Sequence, residues 1–237
     1  MCGCSSWKSR GSPMDRFAIC DLRVGIPLSR PRTSNSGFTL IEMLVVIVIL
    51  GILMSLAIVG VSSAMKSARV TKTEALIENL AGGCETYRTK WGDYPPSTLS
   101  EFKVSGLNDI NNGMESLTAC LASTAKGDPF LTVRDDQLMN ADSDSASRNV
   151  TKWYFGDFQL REIADGFGYA MCYMHWKDYE KPNPMTRRIK TDSASPEASF
   201  EPTRSVETKT FLRPHKFQIL SVGPDGKPGT PDDIQAR

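Results

Sequence analysis

From Met43 to Val61 the chain carries no charge, and a single carboxylate, Glu42, stands at the head of that run. A helix needs about 20 predominantly apolar residues to cross the hydrocarbon core of a bilayer. This stretch meets that length, so a helix that spans or packs in lipid is the first constraint on the fold. A carboxylate at the bilayer centre costs on the order of 3 kcal/mol. Glu42 must therefore find a partner or snorkel to the interface.

What flanks the run sets its direction. Residues 1–36 hold Lys8, Arg10, Arg16, Arg23, Arg30 and Arg32 against Asp15 and Asp21, with no periodic apolar pattern. Basic flanks stay on the cytoplasmic side, which puts the N-terminus inside. Lys66, Arg69 and Lys72 oppose this from the other end, and a start at Met14 would trim the leader's basic excess. The apolar core is too long for a cleaved secretory signal. A net charge of +1 leaves no broad basic surface, so no nucleic-acid partner is expected.

Gly37-Phe38-Thr39-Leu40-Ile41-Glu42, continued by Met43 to Ile52, resembles the N-terminal segment of type IV pilins and type II secretion pseudopilins. The resemblance implies cleavage between Gly37 and Phe38 by a prepilin peptidase at the cytoplasmic face, and N-methylation of the new Phe38 amine. Such an amine would lie about one helical turn from Glu42, near i,i+4 reach. Within a subunit, or between neighbours, the two charges can neutralise each other. Losing one member of a desolvated pair costs about 3–5 kcal/mol, so Glu42 is expected to pin the register of stacked helices. The family commonly carries a proline lower in this helix; here the region reads Leu56-Ala57-Ile58-Val59-Gly60-Val61.

Beyond the span, Leu76, Leu80, Cys84, Tyr87 and Trp91 recur on one helical face, with Lys72, Glu78, Glu85 and Lys90 opposite. The periodicity predicts that the helix runs on to about Trp91 and stops at Gly92, with Gly82-Gly83 as a soft point. Asp93-Tyr94-Pro95-Pro96-Ser97 cannot continue it, and Tyr87 to Pro95 is similar to the end of the long helix in pseudopilins. Residues 107–150 read as a variable loop region with a short helix near Met114–Leu121. Its acidic tract, from Asp135-Asp136 to Asp142-Ser143-Asp144, reads as a solvated loop rather than a metal site. Tyr169–Trp176 and Lys216–Val222 are strand candidates, Val150–Phe155 is a weaker third, and Lys181–Arg213 is expected to be a long exposed loop.

The chain closes on Ser221-Val222-Gly223-Pro224-Asp225-Gly226-Lys227-Pro228-Gly229-Thr230-Pro231-Asp232-Asp233-Ile234. Glycine and proline forbid long regular structure here, and crowded carboxylates repel unless a cation intervenes. Asp side chains and free carbonyls suit Ca²⁺, a hard ion taking about 6–8 oxygens, although the EF-hand order is absent. The segment is similar to the C-terminal calcium loop of the major pseudopilin of type II secretion. That resemblance implies carboxylate ligands from Asp225, Asp232 and Asp233, main-chain carbonyls near Val222 and Lys227, and a hydroxyl from Thr230.

Catalysis finds little support. His175 and His215 are isolated, no nucleophile elbow or phosphate loop occurs, and strand alternation sets Cys172 and His175 on opposite faces. Cys2, Cys4 and Cys20 precede the cleavage point; Cys84, Cys120 and Cys172 remain, and one pair of these is expected to bridge in an oxidising compartment.

The resulting expectation is an α+β, type IV pilin-like fold: a long N-terminal helix on a small antiparallel sheet. It divides into a leader (1–37), a transmembrane and assembly helix (38–61) and an extracytoplasmic domain (62–237). The resemblance implies a non-enzymatic subunit of the inner membrane, single-pass, with the C-terminal domain periplasmic. It further implies a homopolymeric pseudopilus fibre driving protein export, with Ca²⁺ as ligand. The implied partners are prepilin peptidase, the inner-membrane secretion platform, minor pseudopilins, and membrane lipid before assembly. An adhesive or DNA-uptake type IV pilin, and a monomeric membrane-tethered calcium receptor, are the alternatives.

Overall fold

The computed structural model describes residues 37–102, 108–123, 127–145, 159–180 and 187–236. The leader, except Gly37, and the Val150–Phe155 strand candidate lie outside them. The chain divides into two units, Met1–Leu50 and Gly51–Arg237.

Helix α1 covers Leu40–Trp91 without a break, passing over Gly60 and Gly82-Gly83. In the first unit its apolar side chains, from Leu40 to Leu50, are all exposed. Among the described residues this is the one helix long and apolar enough to cross a membrane. Its last turns lie in the second unit and bury Thr73, Leu76, Ile77, Leu80 and Cys84. Trp91, expected on the same face, is 49% exposed, so the buried stripe ends at half-buried Tyr87. Gly92, at φ 86°, donates its N–H to the Arg88 carbonyl at 2.7 Å and closes the helix in the left-handed turn that glycine adopts without penalty. Glu85 is not a purely solvated residue: it accepts from Lys216 Nζ at 2.8 Å and from the Tyr94 hydroxyl at 3.1 Å.

Helix α2, Asn112–Ala122, confirms the short helix expected there, yet it is core rather than loop decoration, with Met114, Leu117 and Leu121 fully buried. It sits very close to its neighbours. A Cβ on Gly113 would stand 2.1 Å from the Tyr173 carbonyl oxygen, and one on Gly83 would stand 3.1 Å from Leu121. Gly83 therefore makes room for α2.

Among the described residues there are three small antiparallel sheets rather than one. Strand β1 (Leu138–Met139) pairs with β2 (Glu162–Ile163), and β4 (Arg188–Ile189) with β5 (Ala198–Ser199). The third orders β3 (Cys172–His175), β6 (Phe217–Ser221) and β7 (Ile234–Gln235), with Cys172 opposite Leu220 and His175 opposite Phe217. Both strong strand candidates are thus found, trimmed at their ends. Alternation sends Tyr173, Phe217 and Ile219 to a core with α1 and α2, and Cys172, Met174 and Leu220 to a second core. Ile189 and Phe200 complete that second core, so the expected long exposed loop at Lys181–Arg213 is corrected: it contains β4 and β5 and buries apolar side chains. No disulfide joins Cys84, Cys120 and Cys172 among the described residues. Burial, before any neighbouring charge, raises the thiol pKa of Cys84 and Cys172.

Candidate functional site

Two places hold the residues that the sequence marks, and a third gathers carboxylates that it does not. At the N-terminus, Thr39 precedes the first helical residue and Glu42 occupies the third helical position. Thr39 donates its N–H and its hydroxyl to Glu42 Oε2, each at 2.8 Å, and Glu42 N–H returns to Thr39 Oγ1 at 3.3 Å. This is a reciprocal capping box, which satisfies backbone donors that the first turn of a helix leaves orphaned. The sequence offers the Phe38 amine as a partner for Glu42, yet it also carries this nearer one as T-x-x-E, Thr39 to Glu42. Gly37 and Phe38 sit just outside the helix and are exposed.

The C-terminal loop leaves β6 and returns as β7, which pairs Ser221 with Ile234 and so ties the loop's two ends together. Its entry is clipped by Ser221, whose hydroxyl donates to Asp165 Oδ2 at 2.6 Å and accepts from Gly223 N–H at 3.2 Å. Gly223 has φ 65°, and a Cβ there would meet the Asp232 carbonyl oxygen at 2.3 Å. Within the loop, Thr230 Oγ1 donates to Asp232 Oδ1 at 2.6 Å and lies 3.2 Å from the Lys227 carbonyl. The Asp225 N–H reaches Asp232 Oδ2 at 3.3 Å, Lys227 N–H reaches Asp225 Oδ1 at 2.9 Å, and Gly229 N–H reaches Asp233 Oδ2 at 2.8 Å. Val222 is fully buried in the second core, and it contributes to the loop only through its main chain.

The donor set suits a hard cation, and one observation fits it directly. Asp233 Oδ1 is buried with no hydrogen-bond partner. Burial raises the Asp233 pKa, whereas the Thr230 hydrogen bond lowers that of Asp232. Local N–H groups take Asp225 Oδ1, Asp232 Oδ2 and Asp233 Oδ2, so the loop is folded largely by its own backbone while Asp233 Oδ1 stays buried and unpaired.

The third place was not anticipated. Glu115 on α2, with Asp142 and Asp144 from the acidic tract, brings three carboxylates' oxygens within 4.8 Å of one another, a geometry that could hold a metal ion. The expectation of a solvated loop holds for Asp135 and Asp136, which are exposed, and fails for Asp142 and Asp144, which are half-buried. Glu162 on β2 stands beside them but is satisfied, accepting from Asn111 Nδ2 at 2.8 Å and from Ala141 N–H at 3.1 Å. Burial, then neighbouring carboxylates, drive the pKa of Glu115 well up, that of Asp144 up to about 7 and that of Glu162 up to about 8. Nothing in the one-dimensional pattern links Glu115 to a tract more than twenty residues on.

His175 shows how an isolated histidine is spent structurally. Its Nδ1 accepts from Lys177 N–H at 3.2 Å, so its Nε2 carries the proton toward Asp93 Oδ1, also at 3.2 Å. Cys172 lies across the sheet from it, in the second core.

A long N-terminal helix laid on small antiparallel sheets, headed by this segment, defines an α+β, pilin-like architecture. Residues 32–64 match the prokaryotic N-terminal methylation motif. Over 64 residues of its N-terminal region the chain is 42% identical to the type II secretion system core protein G of Pseudomonas aeruginosa. That stretch is 27% of this chain and 45% of the relative, so the match covers less than half the relative's length. No solved structure matches the chain.

Proposed function

We propose that this chain is a structural subunit of a type II secretion pseudopilus. The observation that carries the reading is the methylation motif running into a helix that resembles core protein G. In this reading prepilin peptidase cuts between Gly37 and Phe38, and the Phe38 amine is methylated. The precursor sits once through the inner membrane with its N-terminus cytoplasmic and its C-terminal domain periplasmic. Subunits then leave the lipid and stack their apolar helices into a homopolymeric fibre, in contact with the secretion platform and minor pseudopilins.

Glu42 supports this step in a specific way. Thr39 uses only Oε2, so Oε1 can meet a neighbour's Phe38 ammonium while the helix start stays capped. The C-terminal loop would hold Ca²⁺ through Asp225, Asp232 and Asp233, with the carbonyls of Val222 and Lys227 and the Thr230 hydroxyl nearby. A bound ion would stabilise the folded state by linkage, since it binds that state alone.

Replacing Gly37 should leave an unprocessed precursor by mass spectrometry; normal trimming would refute the prepilin assignment. Glu42→Leu should insert but fail to assemble. A membrane-tethered receptor would instead tolerate that change. Chelation, or Asp225→Ala, should speed proteolysis of the C-terminal loop, and unchanged cleavage would remove calcium from that loop.

A further inference from the structure

We propose that Glu115, Asp142 and Asp144 form a binding site for Ca²⁺, separate from the C-terminal loop and independent of whether that loop binds an ion. Acidic clusters are common on protein surfaces and mean little alone. This one differs because its central member is inside the protein. Glu115 is 1% exposed, and both its carboxylate oxygens are buried with no hydrogen-bond partner. One carboxylate oxygen of Glu115 lies within 4.8 Å of one oxygen each from Asp142 and Asp144.

The orphans are concentrated here. Asp142 Oδ1 is likewise buried without a partner, and so is Asn112 Oδ1, one turn before Glu115 on α2; both Asp144 oxygens are buried too, with the Asn108 main chain alone drawing on that carboxylate. A buried polar group without a partner is rare in a folded protein, and several converging on one point ask for a common ligand. Removing charges from water without compensation is strongly unfavourable. A divalent cation would offset that cost for all three carboxylates at once, whereas a single proton would satisfy only one.

The surroundings position the carboxylates without spending their free oxygens. Asn108 Nδ2 donates to Asp142 Oδ2 at 2.7 Å, and Asn112 Nδ2 donates to the Asn108 carbonyl at 2.5 Å. Asn140 clasps the backbone of Asp144 at both ends, at 2.8 and 3.1 Å. Glu162, held by Asn111, fixes the Ala141 N–H next to Asp142. Such support orients ligands rather than replacing them. An open depression lined by Asn140, Ser143, Asp144, Ser145 and Gln159 gives solvent access beside Asp144.

The chemistry selects the ion. Every donor is oxygen, with no His or Cys in the group, which disfavours zinc. Carboxylates drawn from a helix and an irregular loop give an uneven set of distances. Ca²⁺ accepts flexible coordination by about 6–8 oxygens, while Mg²⁺ demands near-ideal octahedral geometry.

The test uses the full-length protein in detergent micelles, stripped with chelator and titrated with Ca²⁺ alone. The Asp225→Asn/Asp232→Asn/Asp233→Asn variant, which removes the C-terminal loop's charges, should still bind calcium. Adding Glu115→Gln should weaken that binding roughly tenfold or more, the scale of losing a ligand or its support. Calcium binding that vanishes with the loop variant alone, or that ignores Glu115→Gln, would overturn the proposal. Glu115→Gln keeps the shape of the protonated side chain, so the fold should survive. Should the loop variant fail to fold, Glu115→Gln and Asp144→Asn in the otherwise native chain should each lose one bound calcium per chain. Unchanged stoichiometry in both would refute the site.

Discussion

Thr39 gives its backbone N–H and its hydroxyl to the same oxygen of Glu42, both at 2.8 Å, so the carboxylate that heads the apolar helix is also its cap. The relationship joins two roles that sequence alone kept apart: starting the helix and answering a charge at the edge of lipid. Removing the hydroxyl should expose the difference. Thr39→Val keeps the bulk and loses the cap, which is worth about 0.5–2 kcal/mol in helices generally. Hydrogen exchange in micelles should show faster exchange at Leu40 to Met43 and little change near Leu80. Equal protection at the helix start would mean that the capping box does not hold it.

A second prediction concerns two glycines. Gly113→Ala would drive its Cβ to within 2.1 Å of the Tyr173 carbonyl, where backbone must move. Overpacking of this kind typically costs about 1–3 kcal/mol, so the melting temperature should fall. Gly82→Ala meets nothing within 4 Å in mid-helix and should stabilise by roughly 0.5–1 kcal/mol. If Gly113→Ala melts no lower than the native protein, the close approach of α2 to β3 is wrong.

The sequence made the long helix, its Gly92 stop, α2 and the two principal strands legible, because each carries a local periodic or capping signal. Leu76, Leu80 and Cys84 announce their face through spacing alone. What was hidden depends on contacts distant in sequence. Ile189 and Phe200 look like stray apolar residues in a Pro- and Ser-rich stretch, and only the second core gives them a place. Glu85 looks like an outward helix residue until Lys216, 131 positions later, comes to meet it. The same holds for the acidic cluster: Asp142 and Asp144 are legible as a polar tract, and Glu115 as one helical residue, but their convergence belongs to the fold. The C-terminal loop was legible as a loop because glycine and proline mark it. Its closure by β7 rests on only two residues, Ile234 and Gln235, too few for a pattern.

The Lys216–Glu85 contact joins the residue just before β6 to α1, with Tyr94 donating to the same carboxylate. The Lys216 hydrogen bond lowers the Glu85 pKa, against opposing burial. Both charged side chains are about half exposed, so the pair should be worth no more than about 1 kcal/mol. A double-mutant cycle with Lys216→Met and Glu85→Gln should give a small positive coupling that shrinks in high salt. A coupling several times larger, insensitive to salt, would mean that the contact is desolvated in a way its exposure does not show.

Asp93 gives the clearest dependence on pH. Burial pushes its pKa up, but hydrogen bonds from Lys177, the Tyr94 N–H and His175 together outweigh it and hold the carboxyl at about 2. In the unfolded chain an aspartate titrates near 3.9. The folded value is depressed, so the folded state binds fewer protons there. Stability from this group is therefore fully present above about pH 4 and lost as pH falls toward 2. The Asp93 side chain is 47% exposed, so solvent screening keeps the effect modest. Melting curves of the full-length protein in micelles should separate wild type from Asp93→Asn at pH 5 and bring them together by about pH 2. Curves that stay equally far apart across that interval would show that Asp93 stabilises the segment after α1 by packing and not by its charge.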